Sequence, residues 1–427
     1  MKRVGLTLGK YAPLHKGHQY IFERMLAEND EAVVIIYDTD VTPIPLPVRA
    51  GWIRKLYPSV RVIEAWGSPA PPDWAEDERG WTGITKDLSR NSLRVYLSDR
   101  LAACKAQNAG VAGLRRGFAT RQDDNIATKK CASYFVTVPK AGGGSGVSVD
   151  EAVIRAYEAS EEMYVFDLLV KEGLAYFDKD SRRRTEITGF YSSEYYGAHM
   201  AEALGCEDVR VDEARAAYPV SSRMIRADSY GNRQFIDPLV YRDLIVKAVF
   251  VGSTSTGKST LTEALAKRYG TTFSREYGRD YWTEHQKDRR IGLEEFDIIA
   301  KRHQELEEEA FLEANRVCFV DTNAITTYVY SLDYHGKATE YLTRTALENA
   351  SRYDLFFLCE DDIPYDDTWD RSGDAKRHIF HRQVIADLEM RRIPYIRLSG
   401  SLEERMRKVD EVLSAYEPYR NFFGGLK

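Results

Sequence analysis

Apolar runs and amphipathic stretches alternate along the chain in an order that predicts parallel sheets flanked by helices. Val4 to Leu8 is a short apolar strand, and His18 to Ala27 carries Ile21, Met25 and Leu26 at helical spacing. Val33 to Tyr37 (V-V-I-I-Y) is continuous enough for a buried strand; a Pro-rich loop, the amphipathic run Val48 to Leu56 and a third strand, Arg61 to Ala65, follow. Strand and helix in strict alternation point to a parallel α/β sheet. The pattern breaks after Trp66 at G-S-P-A-P-P-D-W. Beyond the flexible joint Gly142 to Gly146, a helix is predicted over Ser148 to Leu169, with Ser148 or Asp150 near its cap. The α/β alternation resumes near Thr188.

A second alternating unit starts at Val246. Its strands are Val246 to Val251, Val317 to Val320, Leu355 to Cys359 and Tyr395 to Leu398, separated by helical stretches such as Leu293 to Leu312. A domain boundary is expected near residues 230 to 245. At 427 residues, two or three cores are the starting expectation.

The formal charge of -6 argues against a surface built throughout for nucleic acid. The break region differs in sign: residues 80 to 130 hold ten Lys or Arg against four acids. The five cysteines show no C-x-x-C pair, so reduced thiols in a cytoplasmic protein are expected. No N-terminal signal peptide and no membrane span is read.

Gly252-Ser253-Thr254-Ser255-Thr256-Gly257-Lys258-Ser259, followed by Thr260, matches G-x-x-x-x-G-K-S/T between a predicted strand and the helix Leu261 to Tyr269. Backbone N–H groups of such a loop curl around phosphate oxygens, Lys258 is placed to pair with the β- and γ-phosphates, and Ser259 to ligate Mg²⁺. Asp321 ends an apolar strand, where an acid orients the metal. Glu276 and Tyr277 follow a short strand, a usual place for substrate-binding or base residues. Asp366, Trp369, Arg371 and Arg377 lie in a charged, aromatic segment with the character of a lid.

The first half carries its own anion-binding signals. Leu8-Gly9-Lys10-Tyr11-Ala-Pro-Leu-His15-Lys16-Gly-His18 follows the first strand, and Val220-Ser221-Ser222-Arg223-Met-Ile-Arg226 opens a later helix with hydroxyls and an Arg one turn on. The first stretch resembles the G-x-F/Y-x-P-x-H-x-G-H loop of the nucleotidylyltransferase superfamily. The second is similar to its I-S-S-T-x-x-R motif, with Arg223 where Thr is common. Joined to a phosphate-loop kinase, they make the chain resemble the bifunctional nicotinamide mononucleotide (NMN) adenylyltransferase and ribosylnicotinamide kinase family. Further segments carry the likeness: Tyr191 to Gly197, Pro238 to Asp243, Arg275 to Trp282, Val320 to Thr327 and Ile363 to Arg371.

The resemblance implies a Rossmann-like nucleotidylyltransferase domain (residues 1–74 and 185–235), an inserted basic subdomain (75–184) and a P-loop NTPase-fold kinase domain (236–427). It implies a multifunctional NAD-salvage enzyme acting on ATP, nicotinamide riboside, NMN and NAD with Mg²⁺. In the first domain His15, His18 and Lys16 serve the ATP phosphates together with Gly9, Lys10, Tyr11, Ser221, Ser222 and Arg226. Arg49 and Arg54 are candidates for the NMN phosphate, and Trp52 or Trp66 for stacking on nicotinamide. In the second domain Asp321 or Glu276 orients or deprotonates the riboside hydroxyl; Arg371 and Arg377 are the lid candidates, and Glu276, Tyr277, Asp366 and Trp369 the riboside candidates.

Family members that repress transcription carry an N-terminal helix-turn-helix, whereas this chain opens on the catalytic strand, so a repressor role is not expected. Two alternatives remain: a coenzyme A type adenylyltransferase–kinase fusion, and an NAD-sensing regulator that binds nucleic acid through the insert. The insert's Gly83 to Ser98 and Val149 to Ala159 resemble small AP2-type DNA-binding modules, against the plainer expectation of a basic subdomain that packs on the core or mediates homo-oligomer formation.

Overall fold

The computed structural model describes residues 2–39, 41–66, 74–77, 80–84, 151–193, 197–287, 290–364 and 374–419. These fall into two compact units, 1–226 and 227–427.

The first unit contains β1 (Val4–Gly9), α1 (Lys16–Glu28), β2 (Glu31–Tyr37), α2 (Leu46–Leu56), β3 (Arg61–Ala65), β4 (Trp74–Asp77), β5 (Gly80–Ile84), α3 (Glu151–Lys171), β6 (Ala175–Phe177), β7 (Arg183–Thr185), β8 (Gly189–Ser192), α4 (Gly197–Leu204), β9 (Glu207–Arg210) and α5 (Ser222–Ala227). The main sheet is parallel with order β3-β2-β1-β8-β9. β4 pairs with β5 and β6 with β7 as antiparallel ribbons. The apolar run Val33 to Tyr37 is buried on both faces, as a central parallel strand requires. α3 packs Tyr164, Val165, Phe166 and Leu169 into the same core as Leu6, Val33 and Phe190, so the end of the expected insert is built into this sheet's hydrophobic layer. Most of residues 75–184 lie outside the described residues, and with them the AP2-like segments apart from β5 and the backbone of α3.

The second unit contains α6 (Pro238–Tyr241), β10 (Val246–Val251), α7 (Lys258–Tyr269), β11 (Phe273–Ser274), α8 (Gly278–His285), α9 (Glu295–Glu313), β12 (Val317–Asp321), α10 (Ala324–His335), α11 (Glu340–Glu348), β13 (Leu355–Cys359), α12 (Asp374–Met390), β14 (Ile396–Leu398) and α13 (Leu402–Ala415). Its parallel sheet has the order β11-β12-β10-β13-β14. Phe250 stacks on Phe357 and meets Phe319 with its ring tilted, across the sheet's centre.

Both sheets place their first strand in the middle. The chain leaves β1 and β10 on either side, so each sheet has a crevice beyond the C-terminal end of that strand, where parallel α/β folds bind ligands. The histidine loop follows β1 and the phosphate loop follows β10.

Candidate functional sites

Between β1 and α1 the loop turns sharply. Tyr11 adopts a left-handed backbone with φ 46°, and a Cβ on Gly9 would stand 3.2 Å from the Tyr11 ring. His15 occupies the N-cap of α1 and His18 lies three residues on, so the imidazoles share one side; their rings stack at 3.7 Å. Tyr11 meets His18 edge-on at 4.9 Å and also packs on Phe22. Tyr11 is itself buried, which makes it packing for the loop rather than an open ligand contact. Burial, then the positive charge of Arg215, lowers the His15 pKa to about 3. Burial, His15 and Arg215 likewise hold His18 well below its usual range. The pair is therefore neutral at pH 7, able to donate N–H bonds but carrying no charge. Each ring keeps a buried Nδ1 without a protein partner.

The S-S-x-x-I-R element closes on this loop. Ser222 Oγ donates to the Pro13 carbonyl at 3.2 Å, Arg226 Nη1 donates to the Ala12 carbonyl at 2.7 Å, and Ser221 Oγ accepts the Met224 N–H at 3.3 Å. Lys16 is exposed beside them. Residues some 200 positions apart in sequence are thus brought together.

The NMN candidates are placed differently. Arg49 is 1% exposed; it donates to the carbonyls of Ile44 (3.0 Å), Tyr37 (3.0 Å) and Lys10. Burial lowers its pKa to about 10. In this structure it is a peg that ties the loop after β1 to the loop before α2, with its guanidinium engaged by backbone carbonyls. Trp52 is 1% exposed and belongs to the core. Arg54 pairs with Glu64 at 2.7 Å on the surface. Trp66 is 57% exposed, its carbonyl accepting the Tyr164 hydroxyl at 2.6 Å.

In the second unit, Gly252 has φ 140°, and a Cβ there would come within 2.7 Å of the Cys359 carbonyl; Gly257 caps α7 with φ 78°. Only glycine fits the first position on both counts. Lys258 is buried and donates to the carbonyls of Ser253 (2.8 Å) and Gly252 (3.2 Å), while Thr256 Oγ1 donates to the Ser253 carbonyl at 2.9 Å. Arg405 of α13 donates to the carbonyls of Thr256 (2.6 Å), Gly400 (3.0 Å) and Glu360 (3.2 Å) and to the Asp362 carboxylate. Ser259 and Thr260 follow Lys258 on the first turn of α7, Thr260 exposed.

Asp321 ends β12 at 2% exposure, and the Thr322 hydroxyl donates to it at 3.3 Å. Burial and then the like charge of Glu276 raise its pKa, against the opposing pull of Lys258, Ser259 and Thr322. The two acids, 45 positions apart in sequence, are therefore electrostatic neighbours.

Beside them lies a cavity lined by Thr254, Glu276, Arg279, Trp282, Tyr330 and Tyr334, among others. Arg279 reaches to 3.8 Å from Glu276. Sequence reasoning missed Tyr330 and Tyr334, although with Thr327 they recur at helical spacing on one face of α10. It also missed His303, which lines the cavity at 2% exposure and whose Nε2 accepts the Tyr277 N–H at 2.9 Å. Burial lowers the His303 pKa to about 4, so the ring is a neutral acceptor. Tyr277 is held by that bond rather than lining the cavity. Arg377, a lid candidate, is instead buried and donates to the carbonyls of Ile363 (2.8 Å) and Asp361. Asp366, Trp369 and Arg371 lie outside the described residues.

An AAA domain family model matches residues 247–405. The trifunctional NAD biosynthesis/regulator protein NadR of Escherichia coli (strain K12) is 32% identical over 213 residues, 49% of this chain and 52% of that protein. The protein of the same name from Salmonella typhimurium (strain LT2) is 30% identical over 211 residues, 48% of this chain and 51% of that protein. The chain thus spans about half the length of the curated relatives it matches. A crystal structure of NadR protein in complex with NAD and AMP-PNP aligns with a TM-score of 0.46 and 18% identity, covering 100% of this chain and 97% of that one. Among the described residues, no helix is long and apolar enough to cross a membrane.

Proposed function

We propose that this chain, a relative of the NAD biosynthesis protein NadR over about half its length, makes NAD from nicotinamide riboside in two ATP-dependent steps. The observation that carries the reading is the second unit's phosphate loop, whose Thr254 lines an aromatic cavity together with Glu276, an electrostatic neighbour of Asp321.

In the kinase step the riboside 5′-hydroxyl attacks the γ-phosphorus of ATP, giving NMN and ADP. The loop N–H groups and Lys258 hold the phosphates; Lys258 exchanges its carbonyl contacts for phosphate oxygens. Glu276 lines the cavity, which supports it as the group that orients the hydroxyl and accepts its proton. Asp321, whose carboxylate lies within reach of Ser259 and feels the charge of Lys258, fits the metal side instead. Ser259 and Asp321 would hold Mg²⁺, which when bound neutralises charge on the β- and γ-phosphates. Trp282, Tyr330 and Tyr334 line the cavity with aromatic rings that suit the cationic pyridinium ring.

In the adenylyltransferase step the NMN phosphate attacks the α-phosphorus of a second ATP, and pyrophosphate leaves. The first unit contributes orientation and charge stabilisation and no covalent nucleophile. His15 and His18 act as neutral N–H donors, and Arg226 with Lys16 supplies positive charge. Ser221 and Ser222 hold the loop and add hydroxyl contacts.

Incubation of the full chain with ATP, Mg²⁺ and nicotinamide riboside, with products separated over time, tests the reading. NMN is expected first and NAD after it. Riboside left unconsumed removes the kinase assignment; NMN accumulating without NAD removes the adenylyltransferase assignment.

A further inference from the structure

β13 ends at Cys359 and passes the chain directly to Glu360 and Asp361. On α12, His378 and His381 stand three residues apart, one turn of one face, and both reach those carboxylates. His381 Nε2 lies 3.2 Å from Glu360 Oε2, and His378 Nδ1 hydrogen-bonds to Asp361 Oδ2. One donor atom from each of Glu360, Asp361 and His381 lies within 4.8 Å of the other two. His381 is 3% exposed, and its Nδ1 is buried without a protein partner. Arg397 donates to the second Glu360 oxygen at 2.7 Å, so Oε2 remains turned to the cluster.

We infer that Glu360, Asp361 and His381 form a binding site for a zinc-class divalent transition cation, separate from the Mg²⁺ position assigned to Ser259 and Asp321. An imidazole with two carboxylates suits Zn²⁺, Co²⁺ or Mn²⁺, whereas Ca²⁺ needs six to eight oxygens and Mg²⁺ retains most of its water. Bonds of about 2.0–2.2 Å to a tetrahedral ion put donors roughly 3.5 Å apart, a contraction that side-chain rotation supplies. His378 then orients Asp361 through its existing hydrogen bond, and Arg397 does the same for Glu360. The site is structural rather than chemical. The Glu360 and Gly400 carbonyls and the Asp362 carboxylate hold Arg405, which in turn holds Thr256 of the phosphate loop, so an ion on the Glu360 and Asp361 side chains steadies the chain segment that supports that loop.

The test uses the full chain, stripped with a chelator, dialysed, and titrated with Co²⁺ in excess Mg²⁺, with Zn²⁺ as competitor. One equivalent of Co²⁺ is expected, giving the visible ligand-field band of a low-coordinate ion with a nitrogen donor, displaced by Zn²⁺. Asp361→Asn and Glu360→Gln each preserve shape, and each is expected to weaken binding about tenfold or more with unchanged circular dichroism. No saturable Co²⁺ or Zn²⁺ binding by the unmodified protein overturns the inference without recourse to any variant. Unaltered affinity in either variant overturns it as well, because the ion then sits elsewhere.

Discussion

Arg405 Nη1 donates to the Thr256 carbonyl at 2.6 Å, joining a helix near the chain's end to the phosphate loop almost 150 residues earlier. The guanidinium is buried and also holds Gly400, Glu360 and Asp362. Arg405→Met leaves these acceptors without their donor, and is expected to destabilise the chain by about 2 kcal/mol in urea unfolding. The KM for ATP in riboside phosphorylation should rise, with that of the adenylyltransferase step unchanged.

Gly252→Ala introduces a Cβ that meets the Cys359 carbonyl at 2.7 Å, at a backbone φ of 140°. A cost of about 1–3 kcal/mol and loss of phosphorylation are expected, checked by thermal unfolding and ADP release. Gly270→Ala provides the comparison: φ there is 59°, but nothing lies within 4 Å of its Cβ. Strain without a clash should reduce stability and spare the reaction.

His303 accepts the Tyr277 N–H and so fixes the backbone next to Glu276. His303→Leu removes that acceptor and should cost about 1–2 kcal/mol and lower kcat for phosphorylation, while His303→Gln can restore the bond and much of the rate. The pH dependence has a definite sign. Its folded pKa of about 4 lies below the ordinary 6.5, so the unfolded chain binds the proton more readily. The stabilisation is complete above about 6.5 and is lost as pH falls towards about 4. The His15 pKa of about 3 adds a second component of the same sign. Urea midpoints measured between pH 7 and 4 should fall more steeply in the unmodified chain than in His303→Gln.

The two reactions should separate genetically. Lys258→Ala is expected to reduce riboside phosphorylation at least about 100-fold and to leave conversion of supplied NMN to NAD intact. His18→Ala should do the reverse, since the sites lie beyond different sheets. Parallel loss of both activities in either variant would contradict this assignment.

What the sequence revealed follows from how local each signal is. The phosphate loop is a contiguous run whose glycines answer a backbone requirement, so spacing alone exposed it. The histidine loop and S-S-x-x-I-R were likewise legible as motifs, although their contact through Ala12 and Pro13 is tertiary. Arg49 drew attention through the loop it stands near, which resembles the mononucleotide side of the family. Yet it falls on the inward stripe of α2 with Leu46, Ala50 and Ile53, and that periodicity pointed inside. The cavity was the least legible feature. Trp282, Tyr330 and His303 come from three helices, and helical spacing shows which face each uses but not which faces meet.

The two-step route is tested by the ATP balance of NAD formation from nicotinamide riboside. For each NAD formed, one ADP and one pyrophosphate should appear, with NMN rising and then falling between them. NAD or NMN formed without ADP, or ADP formed with no phosphate on the riboside, would contradict the account.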